Sequence, residues 1–191
     1  MNSILRSLSV ATPLLAAMAF SGTASAVTYT ALDPQSSQVT FGYSQMSVSL
    51  DGKFGQIQSQ SFMFDTDAPE KAQVNLAIPL ASVDSGSAEA DDELKKADWF
   101  DTSKYPLASF KSSAVKSLGD NRYEVTGTLD IKGVAKEVTI PFTYAAQGEN
   151  GVFAGEFTFP RSDFGIGTGP WGDFSIVAND VTVKFNVVAS R

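Results

Sequence analysis

The stretch YEVTGTLDIKGVAKEVTIPFTY, residues 123–144, alternates with period two on both sides of a two-residue turn. Tyr123, Val125, Leu129 and Ile131 share one parity, and Glu124, Thr126, Thr128 and Asp130 the other. After Lys132-Gly133 the pattern resumes, with Val138, Ile140, Phe142 and Tyr144 against Glu137, Thr139, Pro141 and Thr143. Successive side chains of a strand point to opposite faces, so each run has a dry face and a wet face. A Lys-Gly pair between two such runs is hairpin chemistry, because glycine accepts the positive φ that tight turns need. The stretch therefore reads as an antiparallel hairpin.

The same period recurs on either side of it. Val74, Leu76, Ile78 and Leu80 form one dry face, Phe153, Phe157 and Phe159 a second, and Val181, Val183, Phe185 and Val187 a third. Asp51-Gly52, Gly119-Asp120-Asn121 and Gly148-Glu149-Asn150-Gly151 are expected as hairpin turns. Between Phe54 and Asp65 the parity slips, which predicts a bulge near Gly55. Pro79 and Pro141 fall inside strand patterns and mark edges or bulges, since proline cannot donate to a ladder. One helix is predicted over about 88–97, with Ser87 as N-cap, acidic residues in its first turn and Lys95 and Lys96 in its last. Long strands avoid exposed edges most completely by closing on themselves. The expectation is an all-β protein: an antiparallel up-and-down β-barrel of about eight strands with one short helix.

Residues 1–26 read as a signal peptide: Arg6, an apolar run from Leu8 to Phe20, and Ala24-Ser25-Ala26 as the small-x-small cleavage site. Residues 27–191 are then one domain, long enough to bury a core without disulfides. The absence of cysteine excludes disulfides and thiol chemistry, and points to a Gram-negative periplasm rather than a disulfide-stapled secreted scaffold. Arg6 is the leader's one charge, so its loss moves the formal net charge from −7 to −8, and nucleic acid is not an expected partner. The absence of histidine is the most restrictive feature, because it removes the usual general base, metal ligand and physiological pH switch together.

The chain holds 14 phenylalanines, many on the dry faces. A barrel of about eight strands either fills its interior with such side chains or leaves room for one small ligand, and periodicity alone is compatible with both. The acidic residues Asp84, Glu89, Asp91, Asp92, Glu93, Asp98 and Asp101 lack the spacing of a calcium loop and read as a solvated face. Gly165-Ile166-Gly167-Thr168-Gly169 is followed by Pro170 and Trp171 rather than a helix, so it reads as a rim loop, not a phosphate cradle. Lys53 and Arg161 read as surface charges, with contact to an anionic headgroup as their other use. No nucleophile motif is present; neither catalysis nor a metal is expected.

Specific segments resemble the YceI-like family of exported polyisoprenoid-binding proteins. They include Leu32-Asp33-Pro34, Ser37-Gln38-Val39-Thr40-Phe41, Gly52-Lys53-Phe54, Ala97-Asp98-Trp99-Phe100-Asp101, Lys104-Tyr105-Pro106-Leu107-Ala108-Ser109-Phe110, Val125-Thr126-Gly127-Thr128-Leu129 and Arg161-Ser162-Asp163-Phe164-Gly165-Ile166. The resemblance implies a lipocalin-like barrel whose hydrophobic tunnel holds a long isoprenoid or similar amphiphile, such as a quinone or prenyl phosphate, non-covalently and without another cofactor. On it, Phe41, Phe62, Phe110, Phe142 and Phe159 are expected to grip the tail, with Tyr43, Arg161 and Trp171 near the mouth. The chain departs from the family at Ser36, Gln45 and Lys132, where histidine is common, which puts any histidine-dependent headgroup contact in doubt. The competing expectation is a filled barrel acting as an envelope interaction module that docks on a membrane redox partner. Association into a homodimer is a further expectation about partners.

Overall fold

The computed structural model describes residues 27–191; the signal peptide expected over 1–26 lies outside them. Twelve strands form one sheet. In chain order they are β1 (Thr28–Tyr29), β2 (Ala31–Leu32), β3 (Gln38–Gln45), β4 (Val48–Phe54), β5 (Gln58–Asp65), β6 (Gln73–Pro79), β7 (Val83–Asp84), β8 (Leu107–Gly119), β9 (Arg122–Ile131), β10 (Val134–Gln147), β11 (Asn150–Pro160) and β12 (Asp180–Ser190). Helix α1 (Ala88–Leu94) lies between β7 and β8. The count exceeds the expected eight because β1, β2 and β7 have two residues each, too short for any period to register.

The order β5-β6-β8-β9-β10-β11-β12-β3-β4 is an antiparallel meander apart from the step that brings β3 beside β12. The first residues help to curl it. Ala31–Leu32 pairs with Ser190 and Ala189 of β12, while Thr28–Tyr29 pairs with Asp65 and Phe64 of β5, so one short segment links strands far apart in the meander.

Three local expectations change. Asp51-Gly52 is not a turn: both residues lie within β4, and the hairpin turns at Met46-Ser47, with φ of 50° and 65°. The period slip near Gly55 is resolved by a break in the chain's pairing at residues 55–57, and the bulge falls between Ser59 and Ser61. Helix α1 stops at Leu94, short of Ala97, because the following chain folds back onto its last turn: the N–H groups of Phe100, Asp101 and Thr102 donate to the carbonyls of Leu94, Lys96 and Lys95. Ser87 is the N-cap as expected, its Oγ accepting from the Ala90 N–H at 3.4 Å. Pro79 ends β6, and Pro141 sits where the β10–β11 ladder stops after Phe142↔Gly155, in keeping with its missing donor.

Candidate ligand tunnel

At one end of the barrel the inward aromatic side chains meet. Phe64 lies 4.9 Å from Phe153 and 5.3 Å from Tyr123, both edge-on, and Tyr123 stacks on Phe142 at 5.2 Å. The Tyr29 and Tyr144 hydroxyls share a hydrogen bond of 2.8 Å. Burial, and then that bond, raises the Tyr144 hydroxyl above its ordinary range. This end is packed.

Farther along, the interior opens into two chambers. The inner one, about 160 Å³, is walled by side chains including Phe62, Leu76, Phe110, Ile140, Phe142 and Phe185, with Ser109 its one polar residue. The outer one, about 230 Å³, is bounded by Phe41, Tyr43, Trp99, Phe159, Arg161 and Trp171 among others. Val39, Ile78, Ala108, Leu129, Phe157 and Val183 border both, so the chambers adjoin at these six side chains.

Glycines opposite phenylalanines keep the tunnel wide. Phe41 pairs with Gly52 across β3 and β4, and Phe185 with Gly155 across β11 and β12. A Cβ on Gly52 would fall 2.3 Å from the Phe41 ring, one on Gly127 2.6 Å from the Phe110 ring, and one on Gly155 2.6 Å from the Phe185 ring. Each ring therefore lies against the wall over a glycine, where any larger residue would displace it.

The outer chamber is capped by the excursion between β7 and β8. Leu94 of α1, followed by Trp99 and Phe100, faces the chamber; Trp99 meets Trp171 at 5.5 Å and Phe100 meets Phe54 at 6.2 Å. Glu93 accepts from Trp171 Nε1 at 3.1 Å and from Lys96 Nζ at 2.6 Å, and these contacts hold its carboxyl below the usual range. Burial, reinforced by the Asp91 charge, pushes the Tyr43 phenol up, so it stays a neutral donor.

Arg161 is 1% exposed and has no carboxylate partner among the described residues. Its five N–H donors go to main-chain carbonyls: Nε to Ala178, Nη1 to Ile166 and Gly167, Nη2 to Trp171 and Val177, at 2.7–3.0 Å. The 165–169 rim loop thus turns carbonyl oxygens toward a cation rather than N–H groups toward an anion. Gly167 is needed twice there, for its φ of +74° and because a Cβ would fall 1.9 Å from Arg161 Nη1. The reading of Arg161 as a surface charge is corrected: it is a buried clamp on the rim.

All eight residues expected at the site border the tunnel: Phe62, Phe110 and Phe142 the inner chamber, and Phe41, Tyr43, Phe159, Arg161 and Trp171 the outer. Ile140, Phe157, Val183 and Phe185 also border it. Their signal was present, since each shares parity on its strand with residues of a dry face. Trp99 lies outside any strand, so no periodicity marks it. Lys53 pairs with Asp84 at 3.4 Å on the surface. Of the positions that depart toward non-histidine residues, Gln45 borders the outer chamber, Ser36 lies in the Asp33 turn, and Lys132 donates to the carbonyls of Ala97 and Gly165 at 2.8 and 2.7 Å.

The acidic residues around α1 are spent separately. Asp91 accepts from the Ser85 N–H and hydroxyl, Asp92 pairs with Lys95, and Asp98 accepts from Thr168. Among the described residues no three potential ligands gather for a metal ion, and no helix is long and apolar enough to cross a membrane.

An antiparallel barrel with a tunnel of apolar walls defines a lipocalin-like binding fold. The chain belongs to the YceI-like domain family, whose model matches residues 30–189. It is 37% identical over 112 residues to a UPF0312 protein of Azotobacter vinelandii, covering 56% of this chain and 58% of that one. A UPF0312 protein of Pseudomonas syringae pv. tomato is 38% identical over 117 residues, covering 58% and 61%. The matches thus span about three fifths of those relatives' length. Among solved structures, Burkholderia cenocepacia BcnA is 40% identical with a TM-score of 0.80, covering 83% of this chain and 99% of that one. The fold alone is shared with the Campylobacter jejuni YCEI protein, at 22% identity and a TM-score of 0.66 over 73% and 84% of the chains. It is also shared with a polyisoprenoid binding domain from Saccharophagus degradans, at 16% and 0.67 over 85% and 98%.

Proposed function

We propose that this chain binds a long isoprenoid or similar amphiphilic lipid non-covalently in the barrel tunnel and acts as a periplasmic carrier rather than an enzyme. The observation that carries the reading is the pair of adjoining chambers, the inner one apolar except for Ser109 and the outer one holding the polar side chains. That polarity gradient suits a molecule with a hydrocarbon tail and a polar head, tail inward. Burial of about 600 Å² of tail at roughly 25 cal/mol per Å² supplies about 15 kcal/mol gross. Ordering the tail and immobilising the molecule consume much of it, which leaves sub-micromolar binding. The leader-like sequence of residues 1–26 and the absence of cysteine support export to the periplasm.

Native mass spectrometry of protein purified gently from its own host, with lipid extraction, tests the reading. One hydrophobic guest per chain is expected. Ala108→Trp fills the place where the chambers adjoin, and the guest should be lost while the circular dichroism of the strands persists. Guest-free wild-type protein would sink the proposal.

The second reading, docking on a membrane redox partner of the envelope, is favoured by an apolar lip beside the outer chamber. Met46, Val48, Phe174 and Ile176 are 72%, 58%, 49% and 36% exposed, and the Met46 N–H donates to the Ile176 carbonyl at 2.8 Å. Met46→Ser with Phe174→Ser separates the two: it should spare lipid content and reduce delivery to a membrane.

A further inference from the structure

Four of the seven large apolar side chains that stand exposed among the described residues gather on one lip: Met46, Val48, Phe174 and Ile176. The other three, Leu107, Leu118 and Val134, are spread over β8 and β10. The lip is held together by its backbone. The Met46 N–H donates to the Ile176 carbonyl at 2.8 Å, the Ala178 N–H to the Ser44 carbonyl at 2.9 Å, and Gln45 bridges to Val177 between them. Gln45 and Val177 both border the outer chamber, so the lip stands at its edge. Phe174 lies over the Arg161 guanidinium at 5.2 Å, which ties it to the rim. The turn that carries Met46 is strained. Met46 and Ser47 are both left-handed, with φ of 50° and 65°, where the other hairpins turn through Asp120-Asn121, Lys132-Gly133 and Gly148-Glu149. Those pairs hold residues that such turns prefer; Met-Ser does not, and it displays the most exposed apolar side chain of the seven, at 72%.

What covers the lip follows from its size and its charge. Four partly exposed side chains present on the order of 400 Å², well short of the roughly 800 Å² per partner that a stable protein interface buries. A second copy or a folded protein would need contacts beyond the lip, whereas a bilayer takes up a few apolar side chains by themselves. Residues 44–50 and 174–179 contain no charged side chain, and the residues that flank them, Asp51, Asp173 and Asp180, are acidic. Neither segment offers a Lys or Arg to an anionic headgroup, and the chain carries a formal net charge of −7. A zwitterionic lipid surface is the partner that this chemistry fits.

We propose that the turn Met46–Val48 and the segment Phe174–Ile176 together insert into the headgroup layer of a zwitterionic bilayer and so set the edge of the outer chamber against the membrane. The docking itself is independent of any guest; what would pass between membrane and chamber rests on the lipid-binding reading.

The chain has no cysteine, so single introduced cysteines report on each end of the barrel. Met46→Cys and, in the β10–β11 turn near Tyr29, Glu149→Cys are labelled with nitrobenzoxadiazole and mixed with phosphatidylcholine vesicles. The label at position 46 should shift to the blue and brighten about threefold as it leaves water, and the label at 149 should stay as it was. Val48→Ser with Phe174→Ser in the Met46→Cys protein should weaken vesicle binding about tenfold or more while the circular dichroism of the strands persists. Replacing a third of the lipid by phosphatidylglycerol should weaken binding further. Equal changes at both labels, no change at 46, or binding that requires phosphatidylglycerol overturns the docking. So does a dimer in sedimentation with the label at 46 already blue-shifted without vesicles, which assigns the lip to a second copy. Binding to native envelope vesicles but not to pure lipid overturns it as well, in favour of a protein partner. Vesicle binding by protein that native mass spectrometry always finds free of a guest upholds the docking and sinks the carrier reading.

Discussion

Phe64 and Phe41 both point into the barrel and both border a chamber, yet one ends in a cluster of rings that closes the inner chamber and the other on the wall of the outer one. Phe64 faces Tyr123, Phe142, Tyr144 and Phe153, ring against ring, and is 2% exposed. Phe41 faces Gly52, with its ring tip over the glycine, and has Phe54 at 5.3 Å and Tyr43 at 6.0 Å beside it. The difference is in the partner, not in the residue. Where an aromatic side chain stands opposite another, the interior closes; where it stands opposite glycine, the ring is stored against the sheet and volume is left for a guest.

The largest expected effect separates the two ends directly. Phe64→Ala should cost about 3–5 kcal/mol in chemical denaturation, because it opens a cavity in a packed cluster. Phe110→Ala, on the tunnel wall, should cost well under half of that. Equal losses would break the distinction. Phe64 and Phe142 both border the inner chamber, and Phe64 is the sharper probe because it is the more deeply buried, 2% against 9% exposed.

Next in size is the rim. Arg161→Met strands five carbonyls and should cost about 2–4 kcal/mol. Hydrogen exchange should rise over residues 165–178 first, with the packed end still protected.

The glycines sharpen the comparison at lower cost. Gly52→Ala should destabilise by about 1–2 kcal/mol, since the clash is with a ring that has a chamber to swing into. Ligand affinity should fall several-fold. A Gly52→Ala protein with unaltered binding would show that wall storage of Phe41 is not what keeps the tunnel wide.

Smallest is the pH dependence. The shifted carboxylates Asp33, Glu89, Asp91, Glu93 and Asp173 are all lowered, by hydrogen bonds from neighbours such as Ser36, Ser85 and Lys96. Their stabilisation is therefore present above about pH 4 and lost as pH falls through their lower native values. Tyr144, at the packed end, is raised instead. It keeps its proton when an unfolded tyrosine ionises near pH 10, so stability declines above about pH 10. With no histidine, the melting temperature should be flat from about pH 5 to 9. Tyr144→Phe should soften only the alkaline decline, and Glu93→Gln only the acid one.

Most of the barrel was legible because period two survives in the nine long strands. β1, β2 and β7 were not, since two residues carry no period and their pairing partners are distant in sequence. Asp51-Gly52 misled for a related reason: locally it is good turn chemistry, but Gly52 is required as the floor under Phe41, and the turn moved to Met46-Ser47. Arg161 looked like an ordinary surface charge because the carbonyls that surround it belong to a loop and to residues up to 17 positions away. Trp99, quoted within a family-like segment, was not expected at the site, since its place in the chamber depends on how the chain after α1 folds back.

Side-chain alternation fixed which residues face inward, because strand geometry alone sends every second one to the same side. Whether those residues meet or leave a hollow was decided across strands, by which glycine or aromatic ring the register sets opposite each phenylalanine. Register is a property of the paired, curled sheet, and that is why the same alternating pattern produced a solid end and a hollow one.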